Sequence, residues 1–371
     1  VSLLFHSGYL SYNFGASHPF TPKRQAFLLE MAREMGLPLD LLPSPPATYD
    51  ELCWVHDKAF IEAVAGAARG SEEHLLRFGV GTGDVPVFEN MHEAACTVVG
   101  GTLEGARRIL SGKDERVLQL GGGLHHAQRD HASGFCVYND LAVAISWMRL
   151  NGKRVAYLDI DAHHGDGVEA LFSTDPEVMT ISMHQDGRTL YPGTGFVEDL
   201  GRFGGRGYSL NVPLLPDTGD DSFLDCFERV VPHALTMFAP DVLVVQAGAD
   251  AHGLDLLAQL NLSTHGFERL FTRIFEVARK HAQGKLLVTL GGGYHPGSTL
   301  RVWLILLHLW AGKPLPEFLP ETLRAEMEAE FGLPISRTLH DLSGTTTPED
   351  VLIANRTTSR RLMELAAPLW W

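Results

Sequence analysis

Four short stretches of the chain place metal-binding or proton-handling side chains directly after strand-like runs. They are Gly121-Gly122-Gly123-Leu124-His125-His126, Asp159-Ile160-Asp161-Ala162-His163-His164-Gly165-Asp166, Ala249-Asp250 and Gly291-Gly292-Gly293-Tyr294. Asp161 and His163 form a D-x-H pair. At the end of a strand, residues two apart point to one face, so one carboxylate and one imidazole can reach the same ion from a short, stiff segment. Asp250, shortly after Val-Leu-Val-Val-Gln, can complete the set from a neighbouring strand. Two Asp and one His leave an open position for water and substrate, as a catalytic site requires. No thiolate takes part, so the set is relatively hard: Zn²⁺ suits it, and Fe²⁺ or Co²⁺ could also bind.

The remaining groups handle protons. His125-His126 follow three glycines and a leucine, and glycine permits a sharp turn with close backbone approach. Asp159 and Asp166 flank the metal stretch. A carboxylate bonded to one imidazole nitrogen fixes the tautomer and raises the basicity of the other. Two Asp–His pairs beside a metal-activated water supply a general base and a general acid or electrostatic partner. Tyr294 can donate its hydroxyl to a developing oxyanion opposite the metal. His164 neighbours His163 but faces the other way in an extended stretch, which makes it structural. Each residue alone has an ordinary alternative: a salt-bridged loop end, a solvated histidine pair, a helix-capping aspartate, a packed tyrosine. Together they describe a metal-assisted hydrolase.

These residues need a scaffold that collects strand ends. Strand-like runs lie at 2–5, 116–120, 154–160, 178–182, 208–212, 242–246 and 285–290. Most are rich in Val, Leu and Ile without strict alternation, as strands buried on both faces are. Helical spacing covers 89–110, 140–150, 222–238, 263–282 and 299–310. Strand–helix–strand repetition predicts an α/β fold, a parallel sheet with helices on both faces. In such sheets the site lies beyond the carboxyl ends of the strands. Segments 42–46 and 201–207 read as surface loops. The alternation stops after Gly312. Residues 1–312 are therefore expected to form the catalytic domain, and 313–371 an extension packed on it, with a helix over 348–367. Trp370-Trp371 are expected to dock on the domain or a neighbouring subunit, because tryptophan buries a large area.

Composition narrows the class further. The 371 residues are 45% hydrophobic and 20% charged, with a formal net charge of -15, ordinary for one large α/β domain. The acidic balance argues against non-specific binding to nucleic acid or anionic membranes and suits a basic substrate. Cys53, Cys96, Cys136 and Cys226 are scattered without a C-x-x-C pair, so a disulfide framework is not expected and a reducing cytoplasm is the default. The apolar run 302–310 is too short to span a bilayer.

Longer motifs carry a resemblance. Ser133-Gly134-Phe135-Cys136-Val137-Tyr138-Asn139-Asp140, Leu158-Asp159-Ile160-Asp161-Ala162-His163-His164-Gly165-Asp166-Gly167-Val168-Glu169, Tyr191-Pro192-Gly193-Thr194-Gly195 and Gly291-Gly292-Gly293-Tyr294 resemble the metal-dependent histone deacetylase family. The subgroup is similar to bacterial acetoin-utilisation deacetylase-like proteins. The resemblance runs from about His18 to Gly312 and implies a single arginase–deacetylase domain with an eight-stranded parallel sheet. It implies Asp161, His163 and Asp250 as zinc ligands, His126 with Asp166 as the base, His125 with Asp159 as electrostatic partner, and Tyr294 as carbonyl polariser. Gly134, Phe135, Tyr191 and Leu257 would contact substrate along a narrow tunnel, Asp84 would hold its backbone at the rim, and Arg24 would sit by an inner acetate channel. A K⁺ or Na⁺ site is implied at Asp159, Asp161, His163 and Ser182, and a second at Phe172, Asp175, Val178 and Tyr208. Two departures stand out: Tyr191 replaces the usual Phe, and the usual Gly-Asp-Pro-Leu reads Gly253-Leu254-Asp255-Leu256-Leu257.

The implied activity is zinc-dependent hydrolysis of N-ε-acetyl-lysine in proteins or peptides. Acetylpolyamine hydrolysis at the same site is the near alternative. A non-catalytic acetyl-lysine reader is a different class, and it would need neither Tyr294 nor the His–Asp pairs. Oligomeric state is left open.

Overall fold

The computed structural model describes residues 2–370. Its eight strands are β1 (Ser2–Leu4), β2 (Leu41–Leu42), β3 (Arg116–Gln119), β4 (Val155–Asp159), β5 (Val178–Gln185), β6 (Ser209–Leu214), β7 (Val242–Gln246) and β8 (Leu286–Thr289). They form one sheet in the order β2-β1-β3-β8-β7-β4-β5-β6, parallel at every pairing. Helices α1 (Lys23–Glu34), α2 (Tyr49–Leu52), α3 (Lys58–Ala65), α4 (Glu72–Leu76), α5 (Met91–Leu110) and α6 (Asp140–Leu150) occupy the first half. The second half carries α7 (Asp166–Phe172), α8 (Asp220–Phe238), α9 (Thr264–His281), α10 (Pro296–Ala311), α11 (Glu321–Phe331) and α12 (Glu349–Ala366).

The strands lack polar alternation because both faces are covered. Leu118, Leu158, Val245 and Val288 point into one core with residues of α8, α9 and α10. Their neighbours Val117, Tyr157, Val244 and Leu287 point into the other, with α5 and α6. The predicted α/β class holds, with seven strands near the predicted runs. The eighth, β2, falls partly in the segment expected to be a loop. It is two residues long, too short for any periodicity, and is set by its pairing to β1, with Leu41 and Leu42 each packed against a core.

Local signals set the helix ends. The Asn139 side chain accepts from Ala142 N at the start of α6, and the Ser263 side chain from Gly266 N at the start of α9, both standard N-caps. Helix α10 begins with Pro296 and ends at Gly312 in the left-handed region (φ 63°), a stop that glycine adopts without side-chain strain.

Past Gly312, α12 lies on α8 and β6. Its Asn355 is fully buried. Asn355 Oδ1 accepts from Leu215 N, and Nδ2 donates to Thr218 Oγ1 and Ser222 Oγ. Asp341 accepts from Arg301 Nη1, Thr264 N and Thr264 Oγ1 and pairs with His252 Nε2. Trp370 Nε1 donates to the Gly207 carbonyl at 2.7 Å; Trp371 lies outside the described residues. No helix among the described residues is long and apolar enough to cross a membrane.

Candidate active site

The four motifs follow β3, β8, β7 and β4, the four adjacent strands at the centre of the sheet. Sequence positions more than 160 apart thereby share one edge. After β3, Gly122 and Gly123 take φ of 73° and 79°. A Cβ at Gly123 would lie 2.0 Å from the Leu290 carbonyl oxygen, so only glycine allows the turn to approach β8. Asp140, at the start of α6, accepts from Gly123 N (3.1 Å) and Leu124 N (2.7 Å) and holds the turn. The turn delivers two buried histidines with ring centroids 4.0 Å apart. His125 Nδ1 lies 2.7 Å from Asp159 Oδ2, and His126 Nδ1 2.6 Å from Asp166 Oδ1.

Asp161, His163 and Asp250 converge beside them. His163 Nδ1 is 3.0 Å from Asp161 Oδ1 and 3.0 Å from Asp250 Oδ2. The three ligand atoms lie within 4.8 Å of one another. Strand alternation is not what aligns Asp161 with His163, as the D-x-H spacing suggested: β4 ends at Asp159. Beyond it the backbone turns, with Asp161 Oδ1 accepting from His163 N. Gln246 Nε2 and Gly292 N donate to Asp161 Oδ2 at 2.7 and 2.9 Å, and Ala162 N donates to Asp250 Oδ1 at 2.7 Å. These bonds orient the carboxylates from behind, as outer-shell donors do at metal centres.

The donor set fits a divalent cation. Burial raises the pKa of Asp250 well above the carboxylate range, and the Asp161 charge adds to it. Two buried carboxylates this close demand a counter-charge. Burial disfavours charge on His163, yet its bonds to Asp161 and Asp250 carry its pKa up to about 10. Glycine makes the room: a Cβ on Gly292 would lie 2.1 Å from Asp250 Oδ2, and one on Gly248 2.3 Å from Asp161 Oδ2.

The two histidines of the pair diverge. Burial first, and then the neighbouring His125 charge, lower His126 to about 4 against the pull of Asp166. Burial also opposes charge on His125, but Asp159 and Asp161 outweigh it and raise it to about 9. One imidazole is held neutral and the other cationic, the separation that acid–base pairs use. Burial raises Tyr294 well above its ordinary value, and Asp250 and Asp161 add to this. Its phenol stays protonated as a donor. Tyr294 N donates to Asp255 Oδ2 at 2.8 Å, and its ring stands at 90° to His163, with centroids 6.1 Å apart.

Aromatic side chains flank this centre. Phe135 (φ 66°) packs against Tyr294 at 5.7 Å and His18 at 4.5 Å. Tyr191 packs against His126 at 5.1 Å. The hydroxyls of Tyr191 and Ser133 bond at 2.5 Å, linking the loops that carry the two rings. Asp84 Oδ2 accepts from Gly134 N at 2.7 Å. Leu257 N donates to Asp255 Oδ1 while its side chain is exposed. Arg24 is buried, with Nη1 donating to the carbonyls of Gly291 (3.2 Å) and Gly293 (2.8 Å). Arg24 and Tyr294 also line a cavity of about 630 Å³ that reaches His18, Leu256 and the C-terminal Glu330 and Phe331.

At the first monovalent-cation set, Asp159 Oδ1 accepts from Asp161 N, and Ser182 Oγ bonds His184 Nδ1. At the second, the carbonyls of Phe172, Asp175 and Tyr208 accept from Asp175 N, Val178 N and Thr180 N. His164 bonds Thr194 and Glu169, in keeping with a structural role. Sequence reasoning missed Gln246, Tyr157 and Tyr12. Tyr157 OH donates to Asp159 Oδ2, and Tyr12 OH donates to the Phe135 carbonyl at 2.8 Å. Gln246 had a signal, a polar residue closing an apolar run; the two tyrosines read as core.

The parallel α/β sheet has the arginase–deacetylase architecture, and it gathers two His–Asp pairs, an Asp-His-Asp cluster and a tyrosine at one edge. Residues 18–309 match the histone deacetylase domain, and the chain belongs to the histone deacetylase family. It is 39% identical over 323 residues to the acetoin utilization protein AcuC of Bacillus subtilis, covering 84% of each chain. With AcuC of Staphylococcus aureus it shares 36% identity over 307 residues, 81% of this chain and 77% of the relative. A solved histone deacetylase homolog from Aquifex aeolicus superposes with a TM-score of 0.87 at 29% identity, over 96% of this chain and 99% of that one. A homolog complexed with SAHA aligns equally well, with a TM-score of 0.87 and 29% identity over 97% and 99% of the two chains.

Proposed function

We propose that the protein hydrolyses the amide of N-ε-acetyl-lysine in proteins or peptides, releasing acetate and the free lysine side chain. The observation that carries this reading is the convergence of the Asp161–His163–Asp250 cluster, both His–Asp pairs and the Tyr294 phenol beside the aromatic rings of Phe135 and Tyr191. Asp161, His163 and Asp250 would hold Zn²⁺, with Fe²⁺ or Co²⁺ as substitutes. When bound, the ion supplies Lewis acidity toward the acyl oxygen and toward water. The family resemblance also assigns K⁺ or Na⁺ to the sets at Asp159, Asp161, His163 and Ser182, and at Phe172, Asp175, Val178 and Tyr208.

The chain's own groups then divide the work. Asp166 holds His126 Nδ1, which leaves Nε2 as the basic nitrogen. His126 takes a proton as water attacks the acetyl carbon. Tyr294 donates to the oxygen on which negative charge develops, a contribution that grows toward the transition state. His125, kept cationic by Asp159, adds positive potential. The C–N bond breaks as the lysine nitrogen accepts a proton from the histidine pair. Phe135 and Tyr191 hold the aliphatic stem straight and exclude water. Arg24 offers a buried cation to the departing acetate.

The entrance favours a peptide over a polyamine. Leu254, Leu256, Leu257 and Tyr191 are exposed large apolar side chains on the loops around the site. A peptide can bury this surface, whereas a polycation gains little from it. The test compares kcat/KM for an acetyl-lysine peptide with that for N-acetylputrescine. At least tenfold preference for the peptide is expected; preference for the polyamine overturns the substrate assignment, and turnover of neither overturns catalysis.

The pH profile of the same peptide reaction checks the acid–base roles. The base must be neutral, and His126 lies below the ordinary histidine value of about 6.5, near 4. Activity is therefore expected to persist through pH 5–6 and fall as pH drops through the lower value. His125 must be charged, so the basic limb falls at or below about 9, lowered further by the charge of a bound metal. An acid limb at or above the ordinary histidine value removes His126 as the base.

A further inference from the structure

We infer that His265, Glu268 and His340 form a second divalent-metal site, which fastens the C-terminal segment to the catalytic body. It shares no residue with the Asp161 cluster. His265 and Glu268 lie three apart near the start of α9, and residues at that spacing project from one helix face. His340 comes from the segment after Gly312. One ligand atom from each of the three lies within 4.8 Å of the others. His340 Nε2 is 2.9 Å from Glu268 Oε2, close to the 3.0 Å spacings of the Asp161–His163–Asp250 cluster.

The surroundings are arranged as they are around metal-binding histidines. His265 Nε2 lies 3.0 Å from the Asp341 carbonyl oxygen. Donation to that oxygen fixes the tautomer and leaves Nδ1 as the lone-pair nitrogen, the role a backbone carbonyl plays behind a metal-bound imidazole. His340 is anchored through its neighbour Asp341, which is bound to Arg301, Thr264 and His252. The third ligand thus sits on backbone that is already fixed. The His265 and His340 rings stack at 4.6 Å with 16° between their planes. Tetrahedral ligands about 2.0–2.1 Å from an ion lie roughly 3.3 Å apart, so one ring must swing out of the stack for both in-plane lone pairs to meet one ion. All three residues are only partly buried, which leaves room for that motion and for water in the open coordination position.

Two imidazoles and one carboxylate select a borderline cation. Zn²⁺ fits best, while Ca²⁺ and Mg²⁺, which take oxygen ligands, do not fit. The ligands come from α9 and from the segment after Gly312, so the role is a cross-link between the two.

The experiment uses the full chain, stripped with a chelator and equilibrated with ZnCl₂, with bound zinc counted per protein. His265→Ala and His340→Gln are each expected to bind one equivalent fewer than the parent chain while keeping its acetyl-lysine turnover. The parent's thermal midpoint should rise on zinc addition by several degrees more than that of either variant. If the catalytic cluster also binds, the counts are two against one; if it does not, they are one against none. Equal zinc content in the parent and both variants overturns the second site. Using a neutral and a conservative substitution at two different ligands separates loss of the site from local misfolding.

Discussion

Asp161→Ala, His163→Ala and Asp250→Ala are each expected to remove detectable deacetylation and to lower the metal bound at this centre. Each deletes one of three protein ligands, and two ligands do not retain a borderline ion at working concentrations. In the metal-free protein the loss of Asp250 has offsetting effects. Its carboxyl is fully buried, and its pKa is raised by burial and by Asp161. Removing it relieves a like-charge contact but leaves Ala162 N without its acceptor. A folded Asp250→Ala protein without activity is therefore expected. Metal content, circular dichroism and turnover on the same preparation check this, and full metal content with normal turnover would remove Asp250 from the site. Gln246→Ala provides the graded comparison: it strips one orienting hydrogen bond from Asp161, and such outer-shell losses cost about 10–100-fold in metal affinity or activity.

Tyr294→Phe separates chemistry from metal binding. The ring contacts with Phe135 and His163 survive the change, as does the main-chain bond to Asp255. Only the hydroxyl is lost. Zinc content and fold should match the parent, while kcat falls by about 10²–10³, the usual cost of one oxyanion donor. KM should change little, because the donor acts on charge that develops after binding. His126→Ala is expected to be at least as severe, since it removes the base and leaves every ligand in place. A near-normal kcat in Tyr294→Phe would return the residue to a packing role.

Part of this was legible in the residues because it was local. Runs such as Val-Leu-Val-Val-Gln and Val-Ala-Tyr-Leu-Asp state their burial on both faces through composition alone. Glycine triplets before His125 and Tyr294 announce turns that other residues cannot make. The fold class and the motif residues followed from those signals and from the family resemblance. Where a periodic pattern was absent, reading failed. β2 is two residues long and owes its pairing to β1, and helices α1, α3 and α11 lie outside the runs whose spacing predicts a helix.

What the chain determined by itself was therefore the set of candidate groups and the kind of scaffold that carries them. Which strands lie side by side was not contained in that set. The order β3-β8-β7-β4 brings four distant motifs to adjacent strand ends, and pairing between strands far apart in sequence depends on the packing of the whole sheet rather than on any window of residues. Tertiary structure also decided the charge states. His125 and His126 are neighbours of the same type, yet one is pushed up to about 9 and the other down to about 4. Both are buried; the difference lies in the carboxylates and charges that surround each ring, which only the folded arrangement brings within reach.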